Sequence, residues 1–312
     1  MAYLLNTTPT LETIPQDIIS FAVNVLGWSE ISTGVVAAPG ADAGVGFEVS
    51  YDLVGAANSR YRQQLRIHLV KDGVRVNSTP ICVPYVAGAY QSPTRLHLFG
   101  GQESAPYLGV AIEFSPGFFR HGYLGYMEKI GTYGGGEVIA SAYHTKYSTT
   151  NYNYGSWEHK YPFSGVYYRK PTEEGCVRIM HPDVGADAIV FNSSMSGRDA
   201  GNLVANRVLG GFRDNINDGK LANGLSTFAG SSILIPINTY RTLEANRVQP
   251  IGRPAGVRMI RMDYIDIAQT ISVGGKTWRC FPVFKKHMTT SVDTSNYSDE
   301  TSYIVGMAYL ED

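Results

Sequence analysis

The most informative part of this sequence is the stretch Thr270-Ile271-Ser272-Val273-Gly274-Gly275-Lys276-Thr277-Trp278-Arg279-Cys280. Two runs of β-forming residues flank a Gly-Gly pair, and paired glycines supply the two positive-φ positions that a tight type I′ turn requires. The pattern predicts a hairpin in which residues 270–273 pair with residues 276–280. Another β-type run follows at 302–310, and we expect this last strand to be tied into a sheet.

Similar short β-type runs, separated by turn residues, recur through most of the chain. Residues 63–70 alternate between polar and apolar side chains, and Asp72-Gly73 marks a second hairpin turn before residues 74–76. So many short strands predict a mainly β fold, either a β-sandwich-like structure or a β-rich scaffold. Further strands are predicted at 44–53, 95–99, 107–114, 121–130, 137–143, 166–169, 177–180, 188–191, 232–237 and 257–262.

One helix is predicted near the N-terminus. Thr13 can cap it, Pro15 lies where a missing amide hydrogen costs nothing, and residues 18–26 provide a broad apolar stripe before Gly27 ends the helix. Trp28 follows immediately and suits a hydrophobic contact that closes the helix C-terminus. We expect the helix to pack on a sheet or on a neighbouring subunit.

Two long stretches do not fit the strand pattern. Residues 146–162 are polar and aromatic, and residues 193–228 are rich in Asn, Gly and Arg with one possible helix at 201–209. Long loops of this kind are often functional or form interfaces. Because no linker or repeat sets a boundary, we predict a single unit over 1–312. Its possible subdivision is an N-terminal β region at 1–145, a loop-rich excursion at 146–230 and a C-terminal β region at 231–312.

The composition indicates an assembly subunit. The 312 residues include 26 basic and 27 acidic side chains, so a net charge of −1 gives no global field to attract nucleic acid or an anionic membrane. Charged residues make up 17% of the chain, below the roughly 25% usual for soluble domains. A weakly charged surface with 21 Tyr and 34 Gly residues suits extended contacts between copies of the chain.

Cysteine content and hydropathy indicate the cellular compartment in which the chain folds. Cys82, Cys176 and Cys280 form no CxxC pair, which argues against a disulfide framework or zinc ribbon and favours small buried hydrophobes. We expect no signal peptide and no membrane contact, because no apolar run approaches the roughly 20 residues that span a bilayer. The chain is expected to fold first in a reducing cytoplasm.

No motif in the sequence supports catalysis or a cofactor. The seven histidines include no HxxxH or HExxH pair, and no GxSxG elbow is present. Residues 214–219 resemble a calcium loop but have Ile216 and Leu225 where ligands belong, and glycine-rich 131–136 is better explained as a turn. We therefore predict no catalytic, cofactor-binding or metal residues and no enzyme activity. A glycosidase carboxylate pair brought together only by folding remains an alternative.

The best binding candidates are aromatic. Rings interleaved with Asn and Ser in residues 147–161 could anchor a protein interface or stack on sugar faces, and we favour the protein interface. The candidate interface residues are Tyr147, Tyr152, Tyr154, Trp157, Tyr161 and, after the helix, Trp28.

The order of three stretches resembles a family of tailed-bacteriophage virion structural proteins. These stretches are a helix ending in Gly-Trp at 17–28, an aromatic-basic run followed by Gly-Gly at 118–135, and a Gly-Val-Arg, Gly-Gly, Lys-Thr-Trp and Phe-Pro series at 256–284 that continues to a final strand at 304–312. The resemblance implies a non-enzymatic virion protein of the neck, collar or tail, made in the host bacterial cytoplasm. It also implies symmetric homo-oligomers that contact other virion proteins at the head–tail connection.

The alternative function is a tail-fibre or baseplate module that recognises host surface polysaccharide through residues 147–161. This alternative predicts that purified host glycans bind the protein and that Trp157→Ala abolishes the binding, because the ring would stack on a sugar face. Glycan-binding measurements on the wild-type protein and the variant check it. Undetectable binding by the wild-type protein would contradict the alternative.

Overall fold

The computed structural model describes residues 1–53, 63–86, 89–102, 104–141, 177–180, 188–189, 192–193, 234–242, 248–262, 265–282 and 305–311. The fold is mainly β with one short helix near the N-terminus, as the sequence predicts. The helix α1 spans Ile14–Asn24. The strands are β1 Ala2–Asn6, β2 Ser29–Ser32, β3 Val35–Ala37, β4 Val45–Leu53, β5 Gln63–Lys71, β6 Val74–Cys82, β7 Tyr85–Val86, β8 Ala89–Tyr90, β9 Arg95–Gly101, β10 Tyr107–Ser115, β11 Phe118–Lys129, β12 Glu137–Ser141, β13 Val177–Met180, β14 Ala188–Ile189, β15 Asn192–Ser193, β16 Ile235–Pro236, β17 Thr239–Thr242, β18 Val248–Pro254, β19 Val257–Arg261, β20 Thr270–Val273, β21 Lys276–Pro282 and β22 Val305–Leu310.

The described strands form three main sheets, and every pairing between them is antiparallel. The central sheet has the order β1-β9-β10-β11-β12-β13-β14, and β18 extends it by pairing with the end of β11 and with β17, which pairs with β15. The N-terminal sheet has the order β2-β3-β4-β5-β6, and the C-terminal sheet has the order β16-β19-β22-β21-β20. Strands β7 and β8 form a separate ribbon.

The N-terminal and C-terminal sheets cover opposite faces of the central sheet. Successive residues of a strand point to opposite faces, so Gly109 and the next residue, which pairs with Gly122, lie on different faces. Side chains of Ile67 and Ile81 from the N-terminal sheet fill the space where Gly122 has no side chain. The ring of Tyr309 from the C-terminal sheet fills the corresponding space at Gly109. The core therefore has two apolar layers, one on each side of the central sheet.

Helix α1 completes the layer that contains the N-terminal sheet. It packs against β3, β4 and β9, and its buried stripe is Ile14, Ile18, Ile19, Phe21 and Ala22. This stripe follows the 3.6-residue period of an amphipathic helix. The prediction of a helix that packs on a sheet is therefore confirmed.

The helix ends differ in how well the sequence predicted them. Gly27 has a φ of +69° and the Trp28 amide donates to the Ala22 carbonyl at 3.0 Å, which is the predicted C-terminal closure. Thr13 occupies the N-cap position, but its side chain makes no capping hydrogen bond to the helix. Its hydroxyl instead accepts from the Thr10 amide at 3.1 Å, because a turn precedes the helix. Thr13 therefore has the predicted position, but the prediction that its side chain caps the helix is wrong.

Both predicted hairpin turns are confirmed. In the C-terminal sheet, Gly274 and Gly275 have φ values of +62° and +76° between β20 and β21, and Val273 pairs with Lys276. The β5–β6 turn also has two positive φ values, at residues 72 and 73, as a type I′ turn requires. The last strand, β22, pairs with β19 on one side and β21 on the other, so it is tied into the sheet as expected.

The residue pattern does not predict several of the strands. They include β1 at the N-terminus, the short hairpin β2–β3, and the pair β17–β18. Each is either five residues or fewer, or contains Pro and Gly, so local alternation gives little signal. The pairing of β18 with β11 links the C-terminal third of the chain directly to the central sheet.

Some predictions fall on residues that the structure does not describe. These are the strand at 166–169, the helix at 201–209, and the loops at 146–162 and 193–228. Of the three cysteines, Cys280 is fully buried, as predicted for a small hydrophobe, and burial raises the pKa of its thiol to about 12. Cys176 and the side chain of Cys82 lie outside the described part. The division of residues 1–312 into units stays a prediction.

The contact between Gly109 and Tyr309 predicts a steric requirement for glycine. A Cβ atom at residue 109 would lie 2.5 Å from Cδ1 and 2.7 Å from Cε1 of the buried Tyr309 ring. We expect Gly109→Ala to destabilise the fold by about 1–3 kcal/mol, as overpacked cores do. Gly134→Ala is the control, because a Cβ there meets nothing within 4 Å and the backbone needs no positive φ. Urea unfolding measures both, and equal midpoints would contradict the prediction.

Candidate assembly interface

The outermost strand of the central sheet, β1, is the strongest candidate for an interface. Among the described strands it pairs with β9 alone, so its second hydrogen-bonding edge has no described strand beside it. Leu4 is 36% exposed, Leu5 is 44% exposed and the preceding Met1 is 48% exposed. We call Met1 together with strand Ala2–Asn6 the β1 edge.

The β1 edge lacks the features that keep edge strands apart. Natural edges are commonly protected by Lys, Pro or β-bulges. Strand β1 has no charged residue and no Pro, and its pairing with β9 runs without a break from Ala2↔Gly100 to Asn6↔Leu96. An unprotected, apolar edge of this kind can accept a strand from another chain.

Leu4 and Leu5 lie on opposite faces of the central sheet. Leu4 is opposite Leu98, on the face that carries helix α1, and Leu5 is opposite His97, on the face that carries the C-terminal sheet. On the helix side, the Asn6 side-chain amide donates to the Asp17 carboxylate at 3.0 Å and ties β1 to α1.

On the face that carries the C-terminal sheet, Tyr3 holds β1 in place. Its ring stacks on Phe99 with centroids 5.0 Å apart, and its hydroxyl lies 2.9 Å from His97 Nδ1. The Arg279 guanidinium lies 4.5 Å from the Tyr3 ring centroid, close enough for a cation–π contact. Burial raises the pKa of Tyr3, so the hydroxyl stays protonated at neutral pH. Tyr3 therefore joins the edge strand to both the central and the C-terminal sheets.

Arg279 is itself held in a fixed position. Its guanidinium donates to both carboxylate oxygens of Glu311, at 3.1 and 2.7 Å, and to the Ala268 carbonyl at 3.1 Å. Bidentate arginine–carboxylate pairs restrict both partners more than single contacts do. The cation over Tyr3 is consequently part of the rigid C-terminal sheet rather than a freely moving side chain.

Behind Tyr3 lies a continuous layer of rings between the central and C-terminal sheets. Phe99 and Tyr309 stack at 4.9 Å with an interplanar angle of 9°. Phe281 packs against His97 at 4.8 Å and against Phe119 at 5.1 Å. We call this set the aromatic layer; its members are His97, Phe99, Phe119, His121, Phe281 and Tyr309.

The hydrogen bonds of His121 define its tautomer. Its Nε2 lies 3.0 Å from the Pro282 carbonyl oxygen, which can only accept, so Nε2 carries the hydrogen. Its Nδ1 then accepts from the Tyr309 hydroxyl at 2.9 Å. Burial, with a smaller contribution from the nearby Arg120, lowers the pKa of His121 to about 4. The ring is therefore neutral at physiological pH.

Other exposed apolar side chains are spread over the described surface. They occur singly at the end of α1, in β2, β4 and β6, after β11, and in β20. Isolated exposed apolar residues are normal on soluble proteins. In the described part of the chain, Leu4 and Leu5 are the only adjacent residues among the large exposed hydrophobics.

The residues that the sequence proposed for an interface have different positions. Trp28 is only 2% exposed and packs against Phe47 with ring centroids 5.7 Å apart, so it belongs to the core. This corrects its assignment to an interface: the same contact that closes the helix removes the indole from the surface. Tyr147, Tyr152, Tyr154, Trp157 and Tyr161 lie outside the described residues, and their role stays a prediction.

The β1 edge was not found from the sequence. Ala-Tyr-Leu-Leu at 2–5 is compatible with a strand, but this short run has no turn residue that marks it as one. Five residues are too few for alternation to be recognised, and the outer position of β1 depends on its distant pairing with β9.

The described residues contain no group of three or more His, Cys, Asp or Glu side chains placed to hold a metal ion. No helix in the described ranges is long and apolar enough to cross a bilayer.

No protein-family model matches the chain, and no curated protein matches it. The functional proposal therefore rests on the chain's own residues.

The contacts of Tyr3 predict how β1 is held. Tyr3→Ala removes the stack on Phe99, the His97 hydrogen bond and the Arg279 contact. We expect it to lower the free energy of unfolding by about 1–3 kcal/mol and to release β1 from β9. Tyr3→Phe keeps the ring and loses only the hydroxyl, which should lower the free energy of unfolding by about 1 kcal/mol. Hydrogen exchange of residues 2–6 distinguishes the variants. Unchanged protection in Tyr3→Ala would show that other contacts hold the strand.

Proposed function

We propose that this chain is a structural subunit of a tailed-bacteriophage virion, in the neck, collar or tail, that forms homo-oligomers and contacts other virion proteins. It is made in the host bacterial cytoplasm and acts in the particle. The observation that carries the assembly role is the apolar, uncharged β1 edge, which is open among the described strands. The resemblance at 17–28, 118–135 and 256–284 supports the assignment to a phage particle.

Strand addition is the mode of contact that the β1 edge favours. A neighbouring strand would gain main-chain hydrogen bonds along β1, and alternate side chains would provide specificity. Leu4 and Leu5 point to opposite faces, so an added strand would be contacted by an apolar side chain above and below the sheet. No charge on β1 opposes the approach.

The layered core suits a part whose role is geometric. Two apolar layers fix the central sheet on both faces, and Tyr3 ties the edge strand to them. A neighbour that pairs with β1 would therefore be held at a defined angle, which ring closure requires. No catalytic group is needed for this role, and we propose that the chain is not an enzyme. Glycan cleavage that is lost when one carboxylate is mutated would contradict it.

The β1 edge is one part of a larger contact. A five-residue strand buries less than the roughly 1,200 Å² of a stable interface, and obligate subunits commonly bury over about 2,000 Å². Additional surfaces of the chain must therefore contribute. The near-neutral balance of 26 basic and 27 acidic residues is compatible with such extended contact.

The assembly role predicts that a charge on β1 blocks association. Leu4→Lys and Leu5→Lys place an ammonium group on the open edge, so we expect purified protein to shift from oligomer to monomer with an unchanged unfolding midpoint. Size-exclusion chromatography with mass photometry measures the shift. Val74→Lys is the matched control, because Val74 is also exposed but lies on the hairpin of the N-terminal sheet.

The outcomes separate assembly from particle identity. Oligomers that survive both β1 substitutions, or a wild-type protein that remains monomeric, would contradict assembly through the β1 edge. A cryo-EM map of the intact particle tests the virion assignment independently, because it shows whether this chain occupies a neck, collar or tail ring.

A further inference from the structure

Two histidines of the aromatic layer come from different strands and face the same ring. In the central sheet, His97 on β9 and His121 on β11 both lie opposite Ala111 of β10. The small alanine between them leaves both imidazoles pointing toward the C-terminal sheet. The Phe119 ring lies 6.2 Å from His97 and 6.4 Å from His121, centroid to centroid.

His121 makes two of the polar contacts that cross between the two sheets, beside the Tyr107 hydroxyl, which donates to the Leu310 carbonyl at 3.1 Å. Its Nε2 donates to Pro282, the last residue of β21, and its Nδ1 accepts from Tyr309 on β22. One side chain of the central sheet therefore binds two adjacent strands of the C-terminal sheet. Burial raises the pKa of Tyr309, so its hydroxyl remains a donor in this contact.

His97 has one polar contact and one buried nitrogen without any. Its Nδ1 faces the Tyr3 hydroxyl, while its Nε2 has no hydrogen-bond partner among the described residues. The Phe281 ring of the C-terminal sheet lies 4.8 Å from the same imidazole, centroid to centroid, with an interplanar angle of 62°. A proton added to His97 would therefore place a charge against aromatic carbon.

The charged groups around these two rings do not offer a counterion. Arg95 and Arg279 both lower the pKa of His97, and Arg120 lowers that of His121. Acidic side chains on these strands are bound by arginine: Glu113 of β10 by Arg95 at 3.3 Å and Glu128 of β11 by Arg258 at 3.6 Å. Glu311, which follows β22, is bound by Arg279 at 2.7 Å. The other titratable groups in contact with the rings are the hydroxyls of Tyr3 and Tyr309.

We propose that the contact between the central and C-terminal sheets is an acid-sensitive joint, in which proton uptake by His97 and His121 separates these two sheets while helix α1 and the N-terminal sheet stay packed on the opposite face. A buried imidazolium without a counterion is unfavourable, whereas both rings are solvated when the joint opens. In the closed state, a protonated His121 would force the Tyr309 hydroxyl to turn to the Val110 carbonyl, 3.4 Å away.

Opening of the joint also affects the edge strand. Arg279 moves with the C-terminal sheet, so separation removes the cation from the Tyr3 ring. Protonated His97 can only donate through Nδ1, so the Tyr3 hydroxyl must act as the acceptor in this contact. Acid would therefore loosen β1, although the joint is a property of the single chain and does not depend on the proposed assembly.

The direction of the pH effect follows from linkage. Burial lowers the pKa of both histidines to about 4, whereas an exposed histidine has a pKa near 6.5. The open form binds more protons between these values, so the closed form is fully favoured above about pH 6.5 and weakens as the pH falls toward about 4. From pH 7.5 to pH 5 the opening constant should rise about 30-fold for each histidine.

Hydrogen exchange with peptide resolution tests the proposal on the full-length chain. Between pH 7.5 and pH 5, corrected for intrinsic exchange rates, we expect β21 and β22 to lose more protection than α1 and β4–β6, because two buried histidines titrate at the joint and one, His68, in the N-terminal sheet. His121→Gln keeps a donor for the Pro282 carbonyl, and His97→Asn keeps an acceptor for Tyr3, but neither residue titrates. Each substitution should reduce the pH dependence of β21–β22 exchange by about 30-fold.

A third histidine provides the matched control. His68 on β5 bonds Ser50 at 2.8 Å and burial also lowers its pKa to about 4, but it lies in the N-terminal sheet. His68→Gln should leave the acid sensitivity of β21–β22 unchanged. Equal loss of protection in all strands, or full acid sensitivity in a variant that carries both His97→Asn and His121→Gln, would overturn the proposal. If a variant does not fold, the wild-type exchange pattern alone decides between local and global opening.

Discussion

The fit of the Tyr309 ring against the backbone of Gly109 is the contact on which the arrangement of layers depends. Glycine at this position of the central sheet lets β22 approach closely, and the ring then stacks on Phe99 and binds His121. These contacts bring Phe281 of β21 against Phe99 of β9 and place Arg279 of β21 over Tyr3 of the first strand. The position of Tyr3, and hence of the proposed interface, follows from a contact between residues 109 and 309, which are far apart in the chain.

The sequence predicted the elements whose signals are local. Gly274-Gly275 and Asp72-Gly73 defined their hairpins because a type I′ turn requires positive φ at two adjacent residues. The helix was found because its apolar period and Gly27 agree. The sequence could not predict which sheets face each other, because that depends on glycines such as Gly109 and Gly122 whose partners lie in distant strands.

The candidate interface was less predictable than the fold. Large aromatic residues are frequent at interfaces, and this favoured Trp28 as a surface anchor. The same indole instead packs in the core, where it covers the C-terminal end of α1. Leu4 and Leu5 carry no distinguishing pattern of their own, and only the pairing with β9 shows that they lie on an outer strand. His97 and His121 are likewise unremarkable in sequence, and their common position opposite Ala111 arises from strand register.

The place of β22 between β19 and β21 has a consequence for synthesis. Residues 305–310 leave the ribosome after every other described strand, yet they occupy an interior position of the C-terminal sheet. Until then, Phe99 and Phe281 lack the Tyr309 ring that packs against them. The C-terminal sheet therefore cannot close over the central sheet until residues 305–310 have been made, and the aromatic rings of the earlier strands stay partly uncovered up to that point.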